Sequence, residues 1–181
     1  MATTLETIAT YLDRRGWRYQ LEPEQSRIVT GVQAENIDTL QIVIRLREDG
    51  EYLDLFSPNL LNVKDHVYKG VLFQTLLHLS WESKLLRWEY DPSDGEVRAS
   101  VLIALEDNSL TERQFNRLLE SLIDLVDRQS MPRIQSVLST GNDPGAQTME
   151  SQLANLLTTF AAESGIDMAQ LQQELLGQLE E

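Results

Sequence analysis

Apolar residues Leu5, Ile8 and Leu12 recur at the spacing of one helical face, and Thr3-x-x-Glu6 ahead of them has the form of a capping box. Gly16 stands where a C′ glycine ends such a helix. From Trp17 the period changes to two. Trp17, Tyr19 and Leu21 alternate with Arg18 and Gln20 as far as Pro23, and Ile28, Thr30 and Val32 suggest a second strand. The clearest strand is 40–46, where Leu40, Ile42, Ile44 and Leu46 share one face and Gln41 and Arg45 the other. Asp49-Gly50 predicts a hairpin, with a return strand from Tyr52 to Phe56 that Ser57-Pro58-Asn59 ends.

A second helix is predicted over 64–80, with Val67, Val71, Leu72, Leu76 and Leu79 inward. Leu76, Leu77 and Leu79 spread its apolar surface widely, which predicts burial on more than one side. Leu86, Trp88 and Tyr90 then lead into the turn Asp91-Pro92-Ser93-Asp94-Gly95, and Val97, Ala99, Val101, Ile103 and Leu105 lead out. A third helix opens at the capping box Thr111-x-x-Gln114 and presents Phe115, Leu118, Leu119, Leu122, Ile123 and Val126, until Pro132 bends or ends it. Helix, four antiparallel strands, helix, hairpin, helix is the order of an α+β fold: an antiparallel sheet flanked by helices, with a C-terminal helical tail.

That tail follows a run of turn residues, Ser139 to Gly145. The expected division is an α+β domain over 1–137, a linker over 138–148 and a helical pair over 149–181. Met149, Leu153, Leu156, Leu157 and Phe160 form one apolar stripe, interrupted at Gly165. Asp167 then reads as an N-cap with Gln170 in the capping-box position, and Leu171, Leu175 and Leu179 form the second stripe. Helices this short are marginal alone in water, so the pair needs a surface to cover. Leu153, Leu156, Leu157, Phe160, Leu171, Leu175 and Leu179 are therefore the candidate partner-binding residues, docking on the chain's own body, a second copy or another protein.

Charge sharpens this division. Residues 138–181 carry seven carboxylates and no Lys or Arg, half of the formal charge of −14 on the 181-residue chain. A polyanion of this strength is repelled by phosphate backbones and anionic lipid, so neither nucleic acid nor a membrane surface is an expected partner. Cys is absent, which excludes thiol catalysis, disulfides and cysteine-based metal sites. No apolar run approaches the ~20 residues that span a bilayer, and the first residues lack a signal peptide's basic flank and apolar core. The expected location is the cytoplasm.

Candidate chemistry is sparse. His66 and His78 are assigned to the same helix, where 12 residues amount to about 18 Å along the axis, too far apart to share a metal. No Gly-x-Ser-x-Gly and no Gly-rich phosphate loop occurs. Counted as a calcium loop from Asp91, positions six and twelve hold Glu96 and Leu102 rather than Gly and Glu, so a hairpin turn is the better reading. Trp17, Tyr19, Trp88 and Tyr90 are read as core packing rather than as a platform for stacked bases. Neither catalytic residues, metal ligands nor a cofactor are expected.

The element order, the low pI near 4.5 and the final hairpin and helix resemble the type III secretion chaperone-like fold. Leu85–Asp91, Glu96–Glu106, Leu110-Thr111 and Gln114-Phe115 resemble the bacterial YbjN branch in particular, in the manner of a cyanobacterial-type member. The likeness covers roughly 1–130 in architecture and 85–126 in motif, and the tail departs from it. It implies a non-enzymatic, often dimeric protein that holds another polypeptide. The expected function is thus a protein-binding module, chaperone-like or regulatory, working through an apolar groove, the tail or both. The surplus apolar surface of the second helix predicts a homodimer. The alternative is a small enzyme with a site of scattered carboxylates and Ser.

Overall fold

The computed structural model describes residues 3–106 and 108–146, which lie, apart from Gly145 and Ala146, in a compact unit spanning Met1–Pro144. The expected helical pair over 149–181, with its seven candidate partner-binding residues, lies outside the described residues.

One six-stranded antiparallel sheet organises this unit, in the order β1-β2-β3-β4-β6-β5. The strands are β1 (Tyr19–Glu22), β2 (Arg27–Val32), β3 (Leu40–Arg47), β4 (Tyr52–Asn62), β5 (Arg87–Tyr90) and β6 (Glu96–Ala104). Helix α1 (Leu5–Arg14) precedes them, α2 (Lys69–Ser83) connects β4 to β5, and α3 (Glu112–Ile123) follows β6. The expected α+β architecture is therefore present. The two predicted hairpin systems form one sheet because β4 pairs with β6, placing Leu55 opposite Val101 and Phe56 opposite Ser100.

Alternation along the strands explains where the core sits. Ile42 and Ile44 of β3, Leu53 and Leu55 of β4, and Ala99 and Val101 of β6 are buried in one cluster with Ile8 and Leu12 of α1 and Phe115, Leu119 and Leu122 of α3. A second cluster joins Leu72, Leu76 and Leu79 of α2 to Val63 and Val97. It also takes in Ile134 and Val137 of α4 (Met131–Thr140). Trp17, Tyr19, Trp88 and Tyr90 all pack, partly buried, against these clusters.

Several boundaries differ from the sequence reading. Thr4, not Thr3, caps α1, accepting from the Thr7 N–H. Thr3 is buried, and its hydroxyl instead accepts the Leu110 N–H at 2.9 Å. β4 continues through Pro58 to Asn62, because a register shift between Ser57 and Leu61 removes the ladder bond that proline could not donate. α2 begins at Lys69 rather than residue 64, and Val67, expected inward, is 83% exposed. The preceding segment runs in turns, the His66 N–H donating to the Val63 carbonyl and the Lys69 N–H to the His66 carbonyl, and contacts with the β5–β6 turn pin its start. The Val63 N–H donates to the Gly95 carbonyl, Lys64 Nζ donates to the Ser93 carbonyl, and a Cβ on Gly95 would lie 2.5 Å from that of Lys64.

Pro132 does not end the third helix. A π-helical stretch, Asp124–Ser130, carries the chain into α4, and Pro132 falls in the first turn of α4, where its missing N–H has little cost. α4 runs to Thr140, so residues 138–140 of the expected linker are helical, and Gly141 in the left-handed conformation ends it. The π stretch also turns the Asp127 carboxylate into the protein, 2% exposed, where it accepts the backbone N–H groups of Glu35 and Asn36 at 2.9 and 2.8 Å. It thereby fastens the β2–β3 loop. Replacing Asp127 with Ala removes both charge-assisted bonds and is expected to lower the unfolding free energy by about 2–3 kcal/mol in urea titrations. An Asp127→Ala protein as stable as wild type would show that the loop needs no such anchor.

Candidate partner-binding site

α2 is apolar around most of its circumference, and α4 and the sheet cover only part of it. Leu72, Leu76 and Leu79 are buried, whereas Leu77 and Trp81, one turn apart on the outer side, are 73% and 72% exposed. Beside them runs β5, an edge strand hydrogen-bonded, among the described residues, to β6 alone. Trp88 and Tyr90 turn from β5 toward the helices, and the strand's alternation sends Arg87 and Glu89 to the opposite face. Between α2 and β5 lies a groove of about 290 Å³, lined by Phe73, Leu76, Leu77, Trp88, Glu89 and Tyr90. Phe73 and Tyr90 form its aromatic wall, with ring centroids 4.8 Å apart and planes inclined at 56°. The indole N–H of Trp88 is buried and has no acceptor among the described residues.

An ion-pair network stiffens one end of this surface. Arg133 of α4 donates to both Asp143 oxygens at 2.8 and 2.7 Å and to Glu82 at 2.7 Å. One of its nitrogens also lies 3.0 Å from His78 Nδ1. The Asp143 hydrogen bond, against partial burial and with the charges of Asp143 and Glu82, raises the Arg133 pKa above its ordinary value. The network locks α2 to α4 and gives His78 a structural place. His66 lies outside α2, in the turn before it, and its Nδ1 accepts the Tyr68 N–H at 3.2 Å. Among the described residues no three His, Asp or Glu side chains are grouped to hold a metal.

Glu89 stands at the boundary between the groove and the opposite sheet face. Burial works to raise its pKa. Hydrogen bonds from Arg98 at 2.7 Å and Ser100 at 2.9 Å, with the charges of Arg98 and Arg87, outweigh burial and hold the carboxyl below the ordinary 4.5. The hairpin turn beyond carries its own carboxylate: Asp91 accepts from the Ser93 hydroxyl at 2.7 Å and backbone N–H at 2.8 Å, which lowers its pKa. This is turn chemistry, as the sequence indicated.

The apolar excess of α2 is legible in Leu76, Leu77 and Leu79. The strand edge that completes the groove is not, because nothing local marks Trp88 and Tyr90 as belonging to the sheet's last strand.

Two outcomes follow from this geometry. Leu77→Ser and Trp81→Ser, both at exposed positions, should leave stability within ~0.5 kcal/mol of wild type while reducing the binding of an apolar fluorescent dye. Leu76→Ala, one position away but buried, should cost ~2–5 kcal/mol. Equal losses at all three positions in urea denaturation would contradict the exposed surface. For Glu89, a lowered folded-state pKa means a stabilisation fully present above pH 4.5 and lost as pH falls through the lowered value. Glu89→Gln should accordingly be less stable than wild type at neutral pH, and the gap should narrow in acid. A gap independent of pH, measured by thermal melts, would remove the Arg98–Glu89 pair from the account.

No model of a known protein family matches the chain, and no curated protein does. Solved structures do match. The crystal structure of YbjN from E. coli shares 12% identity and a TM-score of 0.55, over 73% of this chain and 90% of that one. A chain of the HopA1–SchA chaperone–effector complex shares 13% identity and a TM-score of 0.50, over 68% of this chain and 88% of that one. At such identities it is the fold that is common: a small α+β body resembling YbjN and type III secretion chaperone-like structures.

Proposed function

We propose that the chain is a non-catalytic protein-binding module, chaperone-like in its action, that seats an apolar segment of another polypeptide in the groove between α2 and β5. The supporting observation is the joint exposure of Leu77 and Trp81 beside a strand edge that is unpaired among the described residues. The groove buries apolar side chains, each contributing roughly 1.5–3 kcal/mol, while the free edge of β5 offers backbone hydrogen bonds to an added strand. The kinship in fold with a chain of a chaperone–effector complex is consistent with this reading. The tail residues Leu153, Leu156, Leu157, Phe160, Leu171, Leu175 and Leu179 are a second proposed gripping element.

A second reading has the same support: α2 of another copy covers Leu77 and Trp81, giving a symmetric homodimer. Both are tested with one pair of variants, Leu77→Asp and Trp81→Asp, in the full-length protein. Affinity capture from the source cells, followed by mass spectrometry, should recover proteins with wild type that both variants lose. Sedimentation should give twice the sequence mass for wild type and the sequence mass for the variants if the second copy is the occupant. Unchanged captured proteins together with an unchanged sedimentation coefficient would reject both readings of the groove.

A further inference from the structure

The sheet face turned away from the helices carries a second, chemically different surface. Alternation sends Arg45 and Arg47 of β3, Asp54 and Phe56 of β4, Arg98 of β6, and Arg87 and Glu89 of β5 to this side. The ladder brings them together: Val43 pairs with Phe56, Phe56 with Ser100, and Ser100 with Arg87. They surround a depression of about 200 Å³ in which four arginines face two carboxylates. In a chain of formal charge −14 this is a local excess of positive charge.

The two carboxylates are already engaged. Asp54 accepts from Arg47 at 2.6 Å, and Glu89 accepts from Arg98 at 2.7 Å and Arg87 at 3.3 Å. Arg45 forms no ion pair among the described residues. Its guanidinium lies 5.0 Å from the centroid of the Phe56 ring, and that of Arg98 lies 5.5 Å from the same ring. Stacking on an aromatic ring uses the face of the guanidinium and leaves its N–H edge to donate. A stacked arginine without a carboxylate is thus held in place to receive one, through two parallel N–H···O bonds.

We propose that this face binds an acidic polypeptide segment, in which a carboxylate meets Arg45, held over the buried Phe56 ring, and a neighbouring apolar side chain lies against the 41%-exposed Leu102. Charge complementarity selects this occupant. The positive excess is small and local, within a Debye length of about 10 Å at 0.1 M salt, and so suits discrete carboxylates. A phosphate polymer would meet the repulsion of the whole chain. The surface is distinct from the α2–β5 groove and does not depend on what that groove holds.

The test is fluorescence anisotropy with full-length protein and a labelled peptide of alternating Glu and Leu, compared with a Lys–Leu peptide and oligothymidylate. The Glu–Leu peptide should bind, weaken with added salt, and lose about ten-fold in affinity in Arg45→Gln, the size expected for one charge-assisted pair. Arg45→Lys keeps the charge without the planar fork and should fall between the two; it also serves if Arg45→Gln melts early. Leu77→Asp should leave this binding unchanged, which separates it from the groove. Equal binding of the Lys–Leu peptide, tighter binding of oligothymidylate, or an Arg45→Gln affinity equal to wild type would each overturn the proposal.

Discussion

The pairing of β4 with β6 is the interaction on which the rest of this structure depends. β1 to β4 form a meander of neighbours, and β5 and β6 form a separate hairpin. Only the β4–β6 ladder, from Tyr52↔Ala104 to Asn62↔Glu96, makes them one sheet. Without it Leu53 and Leu55 would have no apolar neighbours in Val101 and Ile103, and α1 and α3 would cover two strips rather than one face. Such a contact joins residues far apart in sequence, so its loop-closure cost must be offset by burial on both sides of the ladder.

The same ladder gives the two surfaces of the hairpin different chemistry. With β6 inside the sheet, β5 becomes its edge, and alternation splits four consecutive residues. Trp88 and Tyr90 build an apolar wall with α2, while Arg87 and Glu89 join a polar cluster around Phe56. One short strand therefore borders an apolar groove on one side and a patch of arginines on the other. The bulge in β4 contributes as well. It lets the strand pass Pro58 and reach Asn62, where the chain meets the β5–β6 turn before α2 begins.

α2 illustrates how burial and exposure are divided on one helix. α4 reaches it only because the π stretch after α3 keeps the chain helical and redirects it, and the Arg133 network then secures the contact. What α4 and the sheet leave uncovered, Leu77 and Trp81, is exposed apolar surface.

The sequence by itself determined the type and order of the elements from α1 to α3, since period two and period 3.6 are local properties that no partner alters. It also determined the core face of β3 and of α3, and the capping box at Thr111, whose two bonds span only three residues. Tertiary structure decided what depended on distant contacts. Thr3 gave up the cap because Leu110 took its hydroxyl, and α2 started late because the Gly95 turn pinned Val63 and Lys64 in a turn ahead of it. Proline ended neither β4 nor the third helix, because a bulge and a π stretch absorbed its missing N–H. The arginines around Phe56 were invisible in advance for the same reason. In sequence they are scattered polar positions on three strands, and only the register of the sheet places them around one ring.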